Sequence, residues 1–101
     1  MAYKNKQIRF SVEKNTFLKA ERGVGFEDVI LAIEMGQVLD DLEHPNKEKY
    51  PNQSVFIIFI TIKNYVYLVP YVEDETTLFL KTIIPSRKMN KHYNKAVNNE
   101  K

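Results

Sequence analysis

The chain has 101 residues, 44% of them hydrophobic, and a formal net charge of +2, which suits one domain able to bury a single core without a metal or a covalent staple. It contains no cysteine, so disulfides, thiol nucleophiles, thiolate metal sites and cysteine-pair redox chemistry are excluded, and a reducing, cytoplasmic setting is expected. The longest apolar run, Val55 to Ile60, falls far short of the about 18 residues of a membrane-spanning helix, and the basic N-terminal segment leads into no secretory-type apolar run, so a soluble protein without membrane contact is expected.

The charge is unevenly distributed along the chain. Residues 1–22 carry +4, residues 23–80 carry −7 and residues 81–101 carry +5. Two basic ends around an acidic centre point to one surface that takes anions and another that meets a basic partner, although ordinary solvated faces produce the same pattern.

Ile8 to Val12 alternates apolar and polar residues and predicts a first strand. Glu13 to Arg22 predicts a surface helix whose buried side is Phe17, Leu18 and Ala20, stopped by Gly23. Phe26, Val29, Ile30 and Ile33 stand at i, i+3, i+4 and i+7, the spacing of an amphipathic helix, and Gly36 supplies its C′ stop. Val38 to Glu43 predicts a short strand, and His44 to Asn52 a polar loop constrained by Pro45 and Pro51. Ser54 to Ile62 and Tyr65 to Val72 predict strands joined at Lys63-Asn64, with a further strand from Thr77 to Ile84 after the Glu73 to Thr76 turn. Three successive strands on tight connections form an antiparallel meander. Pro70 has no amide hydrogen for a ladder and marks an edge or a bulge. Ser86 is placed to N-cap a last helix with Met89 and Tyr93 on one face, fraying over Asn98 to Lys101. The expected fold is a single α+β domain, with a core over about residues 8–95: a small, mostly antiparallel sheet of four to five strands, two N-terminal helices packed on one face and a short C-terminal helix.

The last predicted strand runs straight into Pro85-Ser86-Arg87-Lys88-Met89-Asn90-Lys91, so cations gather where the chain leaves the sheet, a place suited to holding a polyanion. Two segments carry a family likeness. Arg22-Gly23-Val24-Gly25-Phe26-Glu27-Asp28 is similar to a helix-Gly-Val-x-Phe-Glu-(Glu/Asp) junction, and Ile83-Ile84-Pro85-Ser86-Arg87-Lys88 to an Ile-x-x-(Ala/Ser)-Arg-Lys-Ala-Thr ending. Together with the first strand and polar helix, they make the chain resemble the BrnT toxins of bacterial type II toxin-antitoxin systems. Ser11-Val12-Glu13 stands where that family often has a Trp-Asp pair, and Met89-Asn90 where it has Ala-Thr. The resemblance implies a RelE-like fold and a metal-independent endoribonuclease that cleaves mRNA without a cofactor and arrests growth. It also implies neutralisation by a cognate antitoxin of the ribbon-helix-helix class, with operator DNA reached only through that antitoxin.

Metal-free RNA cleavage needs a base for the 2′-hydroxyl, cations for the phosphorane-like transition state and an acid for the leaving oxygen. Arg87 is the candidate for transition-state stabilisation, since its planar fork holds two phosphate oxygens and stays charged; the alternative is an ion pair with the Glu73 to Glu75 turn. Lys81 is a candidate phosphate contact or, if desolvated, a base, against the alternative of a strand lysine that discourages edge pairing. His44, beside Glu43, is the candidate general acid-base, against a turn histidine with no chemical role. Lys88 and Lys91 share one side of the predicted helix and fit phosphate positioning. Tyr93 and Lys49 complete the candidate RNA-binding set, with Tyr50 flanking it.

Tyr65, Tyr67 and Tyr71 alternate along one strand, as base-stacking rings on an open face or as cross-strand packing pairs. With two histidines, His44 and His92, and no carboxylate cluster of ligand spacing, no metal site is expected. No phosphate-binding loop, dinucleotide glycine fingerprint or nucleophile elbow is present, which removes the corresponding enzyme classes. A non-catalytic protein-interaction or nucleic-acid-binding module is the other reading these residues allow.

Overall fold

Residue alternation in the two central strands sets the architecture described by a computed structural model over residues 6–94. The expected fraying of Asn98 to Lys101 lies outside those residues. In β3 (Gln53–Ile60) the side chains of Phe56, Ile58 and Ile60 enter the main core, and in β4 (Tyr65–Glu73) those of Tyr67, Val69 and Tyr71 do the same. Burial of each such side chain contributes about 1.5–3 kcal/mol, so the period-two pattern fixes which face of the sheet is covered.

The sheet runs β1-β5-β4-β3-β2. β1 (Gln7–Phe10) lies parallel to β5 (Thr77–Leu80), while β2 (Val38–Glu43), β3, β4 and β5 are joined antiparallel. A two-residue strand β6 (Ile84–Pro85) pairs with β4 next to the point where β5 leaves it. The α+β expectation therefore holds, with one parallel pair at the β1 edge.

Two helices cover the main core face. Helix α1 (Val12–Arg22) starts where the Ser11 hydroxyl accepts from the Lys14 amide at 3.2 Å and stops at Gly23, whose φ of +68° lies in the left-handed region. Helix α2 (Phe26–Glu34) buries Phe26, Val29, Ala32 and Ile33. Asn15 joins the two: its Nδ2 donates to Glu27 at 2.9 Å and its Oδ1 accepts from the Phe26 amide at 2.7 Å. This polar joint changes the expected buried face of α1, which is Asn15 and Leu18, whereas Phe17 is 52% exposed and Ala20 is exposed. Lys14 covers the Phe17 ring from 5.5 Å.

The other sheet face is covered only in part. Ile57 and Val66, which alternate away from the main core, are nonetheless buried. The third helix, α3 (Arg87–Tyr93), packs on β4, and its Tyr93 hydroxyl lies 3.4 Å from Asp40 of β2. It therefore crosses the face opposite α1 and α2. Among the described residues, no helix is long and apolar enough to cross a membrane.

Two departures from the predicted strands share a cause. The expected strand Thr77 to Ile84 is split, and Pro70 sits in an internal strand rather than at an edge. Alternate residues of β4 turn their backbone groups toward β5 and β6: Val72 meets Phe79, the Pro70 carbonyl accepts from the Lys81 amide at 2.9 Å, and Leu68 meets Ile84. Pro70 has no amide to return, so the ladder opens there, Lys81 to Ile83 cross the gap, and Ile83 turns into the core. The strand expected to reach Ile62 instead ends at Ile60 in a 3-10 turn (Thr61–Lys63), closed by Asn64 at φ +51°.

Candidate nucleic-acid interface

Helix α3 is amphipathic over two turns. Met89, Asn90, Tyr93 and Asn94 face the sheet, and Arg87, Lys88, Lys91 and His92 are exposed on the outward side. The helix is fixed by side-chain bonds rather than by apolar bulk. The Ser86 hydroxyl accepts from the Met89 amide at 3.2 Å, and the Ser86 amide donates to the Val66 carbonyl at 3.1 Å. Asn90 Oδ1 accepts from the Val66 amide at 3.1 Å and from Asn94 Nδ2 at 3.0 Å, and Asn94 Nδ2 also donates to the Asn64 carbonyl at 3.1 Å. Both β4 groups at Val66 are thereby satisfied by α3 and its cap, where an unpaired buried donor would be costly.

Strand alternation places two further cations on the same side of the sheet. Leu78 and Leu80 of β5 enter the main core, so Phe79 points the other way, toward the α3 side, and Lys81, exposed one residue past the strand, continues that alternation with its amide on the Pro70 carbonyl. Arg9 of β1 is the register partner of Phe79 and shares that face. Among the described residues, no ion pair or hydrogen bond engages the side chains of Arg9, Lys81, Arg87, Lys88 or Lys91. Arg87 does not pair with the Glu73 to Glu75 turn; Glu73 is held by Lys6. On this side, the strands and α3 present a single carboxylate, Asp40, and it faces the Tyr93 hydroxyl. Acidic residues lie elsewhere: Glu13, Glu21, Glu27, Asp28 and Glu34 on α1 and α2, and Asp41 and Glu43 on the other face of β2. The α3 side is thus predominantly cationic, whereas α1 and α2 carry charges of both signs.

Arg22, singled out above as part of the helix-glycine junction, has a structural task. Its guanidinium donates to the Ile83 carbonyl, tying the end of α1 to the crossover that follows Lys81. Lys81 and the start of α3 are close along the sheet. The Lys81 amide bonds Pro70 and the Ser86 amide bonds Val66, a separation of about 13 Å along β4, which two long cationic side chains on one face can narrow.

The remaining candidates form a separate group. His44 lies at the opposite end of the strands: its amide donates to Gln53, whereas Val66 pairs with Phe59, a distance of about 20 Å along β3. There its Nδ1 accepts from the Asn46 amide at 3.0 Å, its ring lies 4.4 Å from that of Tyr50, and Lys49 covers Tyr50 from 5.5 Å. His44, Lys49 and Tyr50 therefore build the β2–β3 loop together, apart from Arg87, Lys81, Lys88, Lys91 and Tyr93.

Tyr67 and Tyr71 are buried on the α1–α2 side and serve as packing residues. Tyr71 stacks on Phe56 with ring centroids 4.1 Å apart, and its hydroxyl donates to Asp41 at 2.6 Å. Burial, together with the adjacent Asp41 carboxylate, pushes the Tyr71 hydroxyl above the usual tyrosine range. The aromatic ring exposed on the α3 side is that of Phe79, 40% accessible. The alternation Thr77-Leu78-Phe79-Leu80 carried that information, because two inward leucines force the ring between them outward.

Comparison of the chain with models of protein families, with curated proteins and with solved structures finds no match.

Proposed function

We propose that the chain is an RNA-cleaving toxin of the BrnT-like, RelE-fold kind, acting on mRNA without a metal and neutralised by a co-encoded ribbon-helix-helix antitoxin. The observation that carries this reading is the sorting of charge by face: five cations without ionic partners among the described residues on the α3 side, against one carboxylate at its margin. Such a face attracts a polyanion before any specific contact forms. The Ile83-Ile84-Pro85-Ser86-Arg87-Lys88 segment, on which the resemblance rests in part, contains β6 and the start of α3.

In this mechanism a 2′-oxygen attacks the adjacent phosphorus, the bond to the 5′-oxygen breaks, and a 2′,3′-cyclic phosphate and a 5′-hydroxyl end form. Arg87 stabilises charge on the equatorial phosphate oxygens, and Lys88 and Lys91 position the flanking phosphates. Lys81 is the remaining ionisable candidate for the proton transfers on this face.

One observation favours a second reading, that of an RNA-binding module without chemistry: the imidazole of His44 is held at the far end of the sheet from Arg87. Expression of the chain alone separates the two. The toxin reading expects growth arrest that is lost on Arg87→Ala, together with 5′-hydroxyl RNA ends in vitro. A purified chain with native circular dichroism that leaves RNA intact, with and without ribosomes, overturns it in favour of binding alone.

A further inference from the structure

We infer that Phe79, with Arg9 and Lys81 on either side of it, is a stacking platform for an unpaired base, which makes single-stranded RNA the ligand of this face. The inference rests on the RNA reading for its ligand class but not on cleavage. Its basis is the register of three short segments. Arg9 stands directly opposite Phe79 in the parallel pair β1–β5, at the strand spacing of about 5 Å. Lys81 follows two positions after Phe79, one residue beyond the end of β5 and about 7 Å away, with its amide still on Pro70. On its other flank Phe79 meets Val72 of β4, which is half-buried.

An aromatic ring that is 40% exposed between two cations without ionic partners among the described residues is an arrangement that neither packing nor salt bridging within those residues explains. Of the aromatic side chains of β3 and β4, Phe56, Tyr67 and Tyr71 are buried and Phe59 and Tyr65 are half-buried. Base stacking on an aromatic ring is sequence-tolerant and requires that the base be out of a duplex, while flanking cations take the phosphates on either side. An RNA strand lying along the sheet would then pass from Arg9 and Phe79, over Lys81, to the outward cations of α3. Duplex RNA keeps its bases stacked internally and offers Phe79 nothing.

The test is binding of a short fluorescein-labelled single-stranded oligoribonucleotide, its duplex, and inorganic polyphosphate to the full chain. Phe79→Leu keeps an apolar side chain on the sheet and removes the ring; it is expected to weaken single-strand binding about 5- to 150-fold while leaving polyphosphate binding unchanged. Phe79→Trp is expected to restore binding, and because the chain has no other tryptophan, quenching of its fluorescence by the single strand reports the stack directly. Arg9→Gln and Lys81→Gln are each expected to lower the slope of log affinity against log salt by about 0.7. Equal binding of single strand and duplex by the native chain, or unchanged single-strand binding by Phe79→Leu, overturns the platform. In the second case, loss of binding on Arg87→Ala would leave the RNA reading standing. No RNA binding by the native chain overturns both, and Phe79-dependent binding without cleavage retains the platform and removes the enzyme.

Discussion

Asn90 of α3 completes the backbone ladder of β4: its Oδ1 accepts from the Val66 amide at 3.1 Å, in a place where both residues are buried. The helix that carries the outward cations is therefore held by a side chain acting as a surrogate strand. Asn90→Ala leaves the Val66 amide without a partner and is expected to cost about 1–3 kcal/mol, read by urea or thermal denaturation. RNA affinity should fall with it, because Arg87 and Lys91 lose their fixed position. Unchanged stability would mean that α3 is held by other contacts.

Tyr71 and Asp41 make the fold sensitive to pH. Partial burial raises the Asp41 carboxyl above the ordinary range, the Tyr71 hydroxyl draws it back, and the neighbouring Glu73, Asp40 and Glu43 carboxylates add to the rise. A carboxyl whose pKa is higher in the fold than in the unfolded chain favours the fold most below the unfolded value of about 3.9, and that stability is lost as pH climbs through the folded value. The stability difference between the native chain and Asp41→Asn, measured by denaturation from about pH 3 to pH 7, isolates this decline from the opposite contributions of Glu27 and Asp74, whose carboxyls are lowered. Asp41→Asn should remove the contribution, and Tyr71→Phe should shift it to higher pH. Identical pH profiles for the native chain and Asp41→Asn would contradict the assignment.

Arg22 links α1 to the crossover beyond Lys81 through the Ile83 carbonyl. Replacing it with Met keeps much of the side-chain stem and removes the donor, with an expected loss of about 1–2 kcal/mol. The loss should be accompanied by faster amide hydrogen exchange at Lys81, whose amide bonds Pro70 beside the crossover. Protection at Lys81 equal to that of the native chain would show that the crossover is held without Arg22.

Phosphate contacts are countable through salt. Arg87→Gln and Lys91→Gln should each reduce the salt slope of single-stranded RNA binding by about 0.7. Lys19→Gln, on α1 and already paired with Glu27 at 3.2 Å, should leave the slope unchanged. Equal reductions from all three would mean that RNA adheres to the surface at large.

Much of the fold was legible because its signals are local. Gly23 and Gly36 both adopt positive φ at helix ends, Ser86 caps α3 as its position predicts, and the spacing of Phe26, Val29 and Ile33 matches their burial. The readings that differed depended on partners distant in sequence. Hydrophobicity alone turns Phe17 inward, but Asn15 takes that place because Glu27 and the Phe26 amide complete its hydrogen bonds. Asn90 gave a faint signal of the same kind, since a mid-helix asparagine is unfavourable unless its side chain has a task. The parallel pairing of β1 with β5, which puts Arg9 beside Phe79, joins segments about seventy residues apart and has no local signature. The separation of His44 from Arg87 likewise follows only once the strand order is known.

The most direct test of the account is amide chemical-shift mapping by nuclear magnetic resonance as a short single-stranded RNA is added to the full chain. The expected shifts fall on Arg9, on Phe79 and Lys81, and along α3 from Arg87 to Lys91, with α1, α2 and the His44 loop unmoved. Shifts centred on α1 and α2 or on the His44 to Tyr50 loop, or none at RNA concentrations well above the protein, would contradict it.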